Sequence, residues 1–173
     1  MSKWKDTFRE GSVYKLFFAS LLATGLAYGL YKGIIDNYLA EIVVMSEMDR
    51  GIAEFFREIP GLLLVFILAV LYTCSAETMY KLGAIIMVAG MGMLTLIPAD
   101  RMWVTLAICV YSLGEHIQLG MKNTLSLEYS KEGKGGTALG LQNAVSQIGT
   151  LAGYFVIMIA FLFVSGMGAF RGF

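Results

Sequence analysis

Side chains that can carry protons lie within one long apolar stretch of the sequence, residues 102–123. Glu115, Gln118 and Lys122 recur at i, i+3 and i+7, a spacing that places them on one face of a helix, with His116 on a neighbouring face. A carboxyl group in a partly dry site is disfavoured as an anion, and histidine titrates near neutrality. Glu115 and His116 are therefore candidates for binding and releasing protons.

An alternative for Glu115 and His116 is a structural ion pair with Lys32 or Arg57. Lys32 itself belongs to an earlier polar row, in which Tyr28, Lys32 and Asp36 follow one another at four-residue spacing. Lys32 and Asp36 are further proton-coupling candidates. They are equally consistent with a lysine that extends to the membrane surface beside an aspartate at the helix end.

A third polar group consists of uncharged side chains early in the last apolar segment. Gln142 and Ser146 lie one helical turn apart, with Asn143 beside them. Such a helix suits a hydrated interior. Together with Tyr28 and Gln118, these three residues are the candidates for a solute pathway.

The sequence does not indicate an enzyme or a cofactor. It contains no Gly-x-Ser-x-Gly, no Gly-x-x-x-x-Gly-Lys and no His-Glu-x-x-His. With a single histidine, and with Cys74 and Cys109 far apart, no metal site and no disulfide are expected. Thirteen basic residues balance thirteen acidic ones, so no charge excess points to nucleic acid.

The elements that must hold these residues are helices in a lipid bilayer. Of the 173 residues 57% are hydrophobic and only 15% charged, and the mean hydropathy is +0.69, far above that of a soluble domain. We expect an all-α integral membrane protein with a bundle of about five transmembrane helices. The predicted spans are residues 16–35, 59–76, 82–99, 102–121 and 137–164.

Short charged connections, 77–81 and 100–101, separate the middle spans. Residues 16–164 then form one transmembrane domain, with an N-terminal segment at 1–15 and a C-terminal tail at 165–173. With these spans, eight Lys and Arg residues fall on the same side of the membrane as the N-terminal segment and five fall on the other side. By the positive-inside rule, this excess predicts a multi-pass protein of the cytoplasmic membrane with a cytoplasmic N-terminus.

Glycines at four-residue spacing predict where helices touch, because they let two backbones approach closely. Gly25, Gly29 and Gly33 form such a ridge in the first span. The pairs Gly136/Gly140 and Gly149/Gly153 form two more in the last span.

Three segments carry a resemblance to a known family. Residues 33–38, Gly-Ile-Ile-Asp-Asn-Tyr, resemble the outer end of the first helix of major facilitator superfamily transporters. Residues 56–61, Phe-Arg-Glu-Ile-Pro-Gly, resemble the start of the second helix in some members, and residues 130–140 are similar to the loop that leads into the fifth helix. The family signature between helices two and three is reduced, at residues 75–83, to an acid, a base and a glycine.

The resemblance implies the N-terminal half of a transporter that moves a small solute by alternating access, with proton coupling. A complete member has two six-helix halves. The expected partners are therefore the bilayer, a solute of unknown class, and a missing C-terminal half or a second copy, the chain being truncated. The alternative is a small homo-oligomeric membrane protein that acts as a channel or a non-transporting scaffold.

Overall fold

The chain is all-helical, as the sequence predicts. A computed structural model describes residues 6–10 and 13–166, the side chains of 164–166 excepted. Helices account for 86% of the structure, and the described part has no β-structure beyond one isolated bridge between Phe8 and Ser130. The predicted tail lies largely outside the described residues, as do residues 1–5 of the predicted N-terminal segment.

Residues 13–166 form five α-helices, the number expected. They are α1 (Tyr14–Asn37), α2 (Glu47–Val70), α3 (Ala76–Leu96), α4 (Arg101–Tyr129) and α5 (Gly135–Gly166), with a π-helix (Tyr38–Ile42) directly after α1.

Side-chain caps set the starts of the two middle helices. Ser46 precedes α2 and forms a capping box: its hydroxyl accepts a hydrogen bond from the backbone N–H of Asp49, and the Asp49 carboxylate accepts one from the N–H of Ser46. Ser75 caps α3 in the same way, accepting from the N–H of Thr78. These caps satisfy N–H groups that have no partner inside a helix.

Several predicted span boundaries differ from the helix boundaries observed. The second predicted span runs to residue 76, whereas α2 ends at Val70 and residues 71–75 form the connection. Glu77 and Lys81, expected in a connection, lie in the first turns of α3 because the Ser75 cap starts the helix at Ala76. α3 ends at Leu96, just before Pro98, which has no N–H to continue a helix.

Three helical segments are long and apolar enough to cross a membrane: Tyr14–Ile42, Ala76–Leu96 and Gly135–Phe163. Large apolar side chains are exposed along α2, α3 and α5, which is unusual for a surface that faces water. They include Leu62, Val65, Phe66, Ile85, Val88, Leu151 and Phe163. The structure thus supports the membrane character expected from composition.

The helices group into two compact units. The first comprises Met1–Asp36 and Leu125–Phe173, and the second comprises Asn37–Thr124.

In the first unit, α1 and α5 pack through glycines and run parallel. Gly25 lies against Ser146 and Thr150, Gly29 against Thr150 and Gly153, and Gly33 against Ile157. A Cβ on Gly29 would lie 3.0 Å from the Cα of Gly153, so only glycine allows this approach. The predicted ridges at 25/29/33 and 149/153 are confirmed as helix contacts. Among residues 6–10 and 13–166, nothing outside the adjoining backbone of α5 lies within 4 Å of where a Cβ would stand on Gly136 or Gly140.

The N-terminal segment of the first unit is docked on the loop between α4 and α5. Lys131 donates its backbone N–H to the carbonyl of Thr7 (2.8 Å), and Arg9 donates its N–H to the carbonyl of Tyr129 (3.0 Å). Phe8 is buried between them, with its ring 5.2 Å from that of Phe18. The start of α1 and the end of α4 therefore lie at the same end of this unit.

In the second unit, α4 packs along α3 and along α2. The α3 contact is antiparallel: Gly83 lies against Gly114 and Gln118, and Gly90 lies against the backbone of Tyr111. The α2 contact is parallel. Arg101 pairs with Asp49 at 2.9 Å near the start of both helices, and the Arg57 carbonyl accepts from Ser112 further along.

Candidate functional site

Arg57 is the centre of an ionic cluster between α2 and α4. Its Nε is 2.6 Å from a carboxylate oxygen of Glu54, and one Nη is 2.8 Å from Glu58. The other Nη is 3.8 Å from Oε2 of Glu115. The side chains of Arg57 and Glu115 are only 17% and 22% exposed, whereas the glutamates on α2 are about half exposed. The cluster therefore runs from a half-open face of α2 to a more enclosed position on α4.

His116 lies beside this cluster and is held from both helices. Its Nδ1 is 2.9 Å from the backbone carbonyl oxygen of Ser112 and 3.1 Å from the Ser112 hydroxyl. Its Nε2 is 3.7 Å from Oε2 of Glu58. The ring packs against Gly61, where a Cβ would lie 2.5 Å from Nε2, so the absence of a side chain on α2 makes room for the imidazole.

Ser112 ties the site to the backbone of α2. Its fully buried hydroxyl donates a 2.6 Å hydrogen bond to the carbonyl of Arg57. That carbonyl lies three residues before Pro60, which lacks an N–H and disturbs the preceding turn of the helix. A hydroxyl from a neighbouring helix is one way in which such a helix regains a hydrogen-bond partner.

The electrostatics of the cluster keep Arg57 charged. A guanidinium does not deprotonate in proteins, and the carboxylates of Glu54, Glu58 and Glu115 lie around it. Lys122 lies two turns beyond Glu115 on the same helix.

Gln118, a predicted pathway residue, is buried between α4 and α3. Its amide donates to the backbone carbonyl of Tyr80 at 3.3 Å, and Gly83 packs against its Cγ. In this position its amide links two helices.

The other predicted pathway residues belong to the first unit. Gln142 is fully buried and accepts a 2.8 Å hydrogen bond from Ser126, while its amide donates to Asn143. Asn143 is exposed, and the carbonyl of Ser146 lies at the contact with Gly25.

Tyr28, Lys32 and Asp36 also belong to the first unit. Tyr28 and Lys32 are partly buried and Asp36 is exposed. In the described part of the chain, no ion pair joins Lys32 to Asp36, although their spacing allows one.

Three residues of the site were not singled out from the sequence: Glu54 and Glu58 in the ionic cluster, and Ser112 beside it. A signal for two of them exists, because Glu54, Arg57 and Glu58 follow the i, i+3, i+4 spacing of one helix face. Ser112 offers no such signal, since a serine in an apolar run is common and its partner is a backbone carbonyl 55 residues away.

Residues that could hold a metal are not grouped here: in residues 6–10 and 13–166 no three His, Cys, Asp or Glu side chains converge on one point. Cys74 and Cys109 are free thiols. Comparison of the sequence with known protein families and with curated proteins finds no match.

Proposed function

We propose that the chain is a membrane-embedded part of a secondary transporter, which moves a small solute by alternating access and couples that movement to protons. The observation that carries the proposal is the ionic cluster around Arg57, which includes Glu115 and lies beside His116, between two helices of a strongly apolar chain. Ionisable groups are costly inside a membrane and are generally found where ions or protons move.

Five crossings are supported by the way the helices pack. α3 qualifies as a span by length and composition, and α4 follows it antiparallel from Gly83 to Gly90. A helix in lengthwise contact with a span traverses the same depth. α2 runs parallel to α4, and its last turns expose Leu62, Val65 and Phe66, as a lipid-facing helix would.

The proposed fold is that of the N-terminal half of a major facilitator superfamily transporter. Parallel packing of α1 and α5 through their glycines supports an odd number of crossings between these two helices, and α2, α3 and α4 supply three. The docking of the N-terminal segment on the α4–α5 loop supports an even number of crossings between that segment and that loop. With the basic residues of that loop on the inner side, the N-terminus is cytoplasmic. The second half of the transporter is a further segment or a second copy, and the chain is not an enzyme.

A flux measurement tests this proposal. The gene's full product, in its native oligomeric state, is placed in lipid vesicles that contain a pH-sensitive dye, and sugars, amino acids and carboxylic acids are added in turn. We expect one class of solute to drive proton movement across the membrane. Proton movement that is independent of every solute class would contradict a transporter.

A second candidate, a homo-oligomeric channel or scaffold, is favoured by Gly136 and Gly140, whose Cβ positions meet no other helix within 4 Å in the described part of the chain. This small-residue surface is suited to contact another copy. The other glycine ridges are used inside the chain and leave less surface for an oligomer. Native mass measurement together with the flux assay separates the two functions, because a defined oligomer that conducts without solute dependence indicates a channel.

A further inference from the structure

The hydrogen bonds of His116 define which of its ring nitrogens carries the proton. A backbone carbonyl can only accept, so the 2.9 Å contact from Nδ1 to the Ser112 carbonyl requires an N–H at Nδ1. The Ser112 hydroxyl uses its own proton in the bond to the Arg57 carbonyl and therefore also accepts from Nδ1. Both contacts demand the same tautomer.

The other nitrogen, Nε2, is then the basic one in the neutral ring. It faces Oε2 of Glu58 at 3.7 Å and the backbone of Gly61. The second carboxylate oxygen of Glu58 contacts Arg57 at 2.8 Å. Glu58 thus stands between a permanently charged guanidinium and the lone pair of an imidazole, with 54% of its side chain exposed.

We propose that His116 is held as the Nδ1–H tautomer and that Glu58 delivers protons to its Nε2. In this step the O–H bond of the protonated Glu58 carboxyl breaks and an N–H bond forms at Nε2. The products are an imidazolium and a carboxylate that remains paired with Arg57. The reverse step returns the proton to the exposed carboxyl group, and from there to water.

The ionisable groups around His116 come from the two helices that hold its ring. α2 provides Glu54, Arg57 and Glu58, and α4 provides Glu115 and Lys122. In the described residues, the hydrogen bonds and ion pairs of His116 come from these two helices. Of the carboxylates in the described part of the chain, Glu58 is the one within ion-pair distance of the ring, and it is therefore assigned the delivery step. This inference deepens the proposed function and rests on it for its role in transport.

The tautomer can be measured directly, because His116 is the only histidine in the chain. With ¹⁵N-labelled histidine, nitrogen NMR of the purified protein in detergent or bilayers reports one imidazole. We expect Nδ1 protonated and Nε2 unprotonated in the neutral form, the reverse of the tautomer that predominates for histidine in water. A neutral ring protonated at Nε2 would overturn the proposal.

Gly61→Ala tests whether the packing holds the ring. The added methyl group would occupy the space of Nε2 and Cδ2, so the imidazole must move and both tautomers should become populated. Gly51→Ala is the matched control on α2, with nothing within 4 Å of its Cβ position. A folded Gly61→Ala protein with an unchanged spectrum would overturn the proposal.

Glu58→Gln tests the delivery step. This test remains valid even if the Gly61→Ala protein does not fold. We expect the rate at which the Nε2 proton of the imidazolium exchanges with water, from the width of its nitrogen signal, to fall by about 100-fold, the lower range for proton transfer by a positioned side chain. Glu54→Gln is the control: it removes an equally exposed carboxylate that pairs with Arg57, and the fall should be less than twofold. Equal effects of the two variants, or no effect of Glu58→Gln, would overturn the assignment.

These measurements need no solute, so they separate this inference from the proposed function. An Nδ1–H ring that responds to Glu58, in a protein without solute-driven proton movement, would leave the proton site intact and refute transport. Solute-driven proton movement with an Nε2–H ring would leave transport intact and refute the delivery step.

Discussion

Arg57 interacts with three carboxylates that differ in exposure. Because they share one guanidinium, a change of charge on one carboxylate leaves the other two paired with it. Glu54 and Glu58 hold the guanidinium at 2.6 and 2.8 Å, whereas Glu115 is 3.8 Å away. When Glu115 is protonated, Arg57 therefore loses its longest ion pair and keeps the two shorter ones, with Glu54 and Glu58. A carboxyl group in such a position can change charge without leaving a buried cation unpaired.

Asp49 gives a prediction at the residue scale about pH. Its pKa lies below the ordinary value of 3.8, because its carboxylate accepts hydrogen bonds from the side chain and backbone of Ser46, with a further contribution from the charge of Arg101. A lowered folded-state pKa contributes stability above the unfolded value, and this contribution is lost as the pH falls through the folded value.

Thermal unfolding of the detergent-solubilised protein checks this prediction. Asp49→Asn should lower the melting temperature at pH 6, and the difference from the unmodified protein should shrink steadily as the pH falls below about 4. A difference that is constant from pH 6 to pH 2 would refute the role of the charged carboxylate.

At the scale of the helices, the contacts depend on glycines rather than on large apolar side chains. Between α1 and α5, carbonyl oxygens occupy the positions that Cβ atoms would need on Gly29 and Gly153. In a membrane, such close approach gives helix association through packing and backbone contacts, because lipid already solvates apolar side chains.

Gly29→Ala should therefore destabilise the protein by about 1–3 kcal/mol, the usual cost of added volume in a packed contact. Gly140→Ala on α5 is the control, because its Cβ would meet open space. There alanine should be neutral or stabilising by up to about 1 kcal/mol, since it favours helix more than glycine does. Unfolding by increasing fractions of a denaturing detergent measures both, and equal effects would show that the α1–α5 contact does not stabilise the fold.

Some of these helices and contacts can be predicted from the sequence, and others cannot. Five helices were predictable because charged residues interrupt the apolar stretches, and the ridges of Gly25 and Gly149 were predictable from their spacing. The end of α2 at Val70 was not predictable from the sequence. Residues 71–76 remain apolar enough to continue a span, and only the Ser75 cap marks the turn. The pairing of Ser112 with Arg57 was also out of reach, because it depends on a three-dimensional contact with a backbone oxygen.

At the scale of the whole molecule, five alternating spans predict a topology. With alternating spans, the N-terminal segment, the α2–α3 connection and the α4–α5 loop lie on the cytoplasmic side. Cys74 is an exposed reporter on that side. In proteins that each keep a single cysteine, Asp6→Cys and Lys131→Cys should be labelled from the same side of the membrane as Cys74.

Asp100→Cys, in the connection between α3 and α4, should be labelled from the opposite side of the membrane. Labelling with an impermeant thiol reagent in intact cells and in inverted vesicles distinguishes the two sides. Labelling of Asp100→Cys and Cys74 from the same side would contradict a crossing by α3.

The most direct test of the central claim is to prevent residue 115 from binding and releasing a proton in the reconstituted full-length protein. Glu115→Gln imitates the protonated carboxyl group, and the two other carboxylates still hold Arg57. We expect the variant to fold, to bind solute and to exchange it across the membrane, but to lose accumulation driven by a proton gradient. If Glu115→Gln retains uphill accumulation and instead lowers thermal stability, the cluster is a structural tie and the coupling role is contradicted.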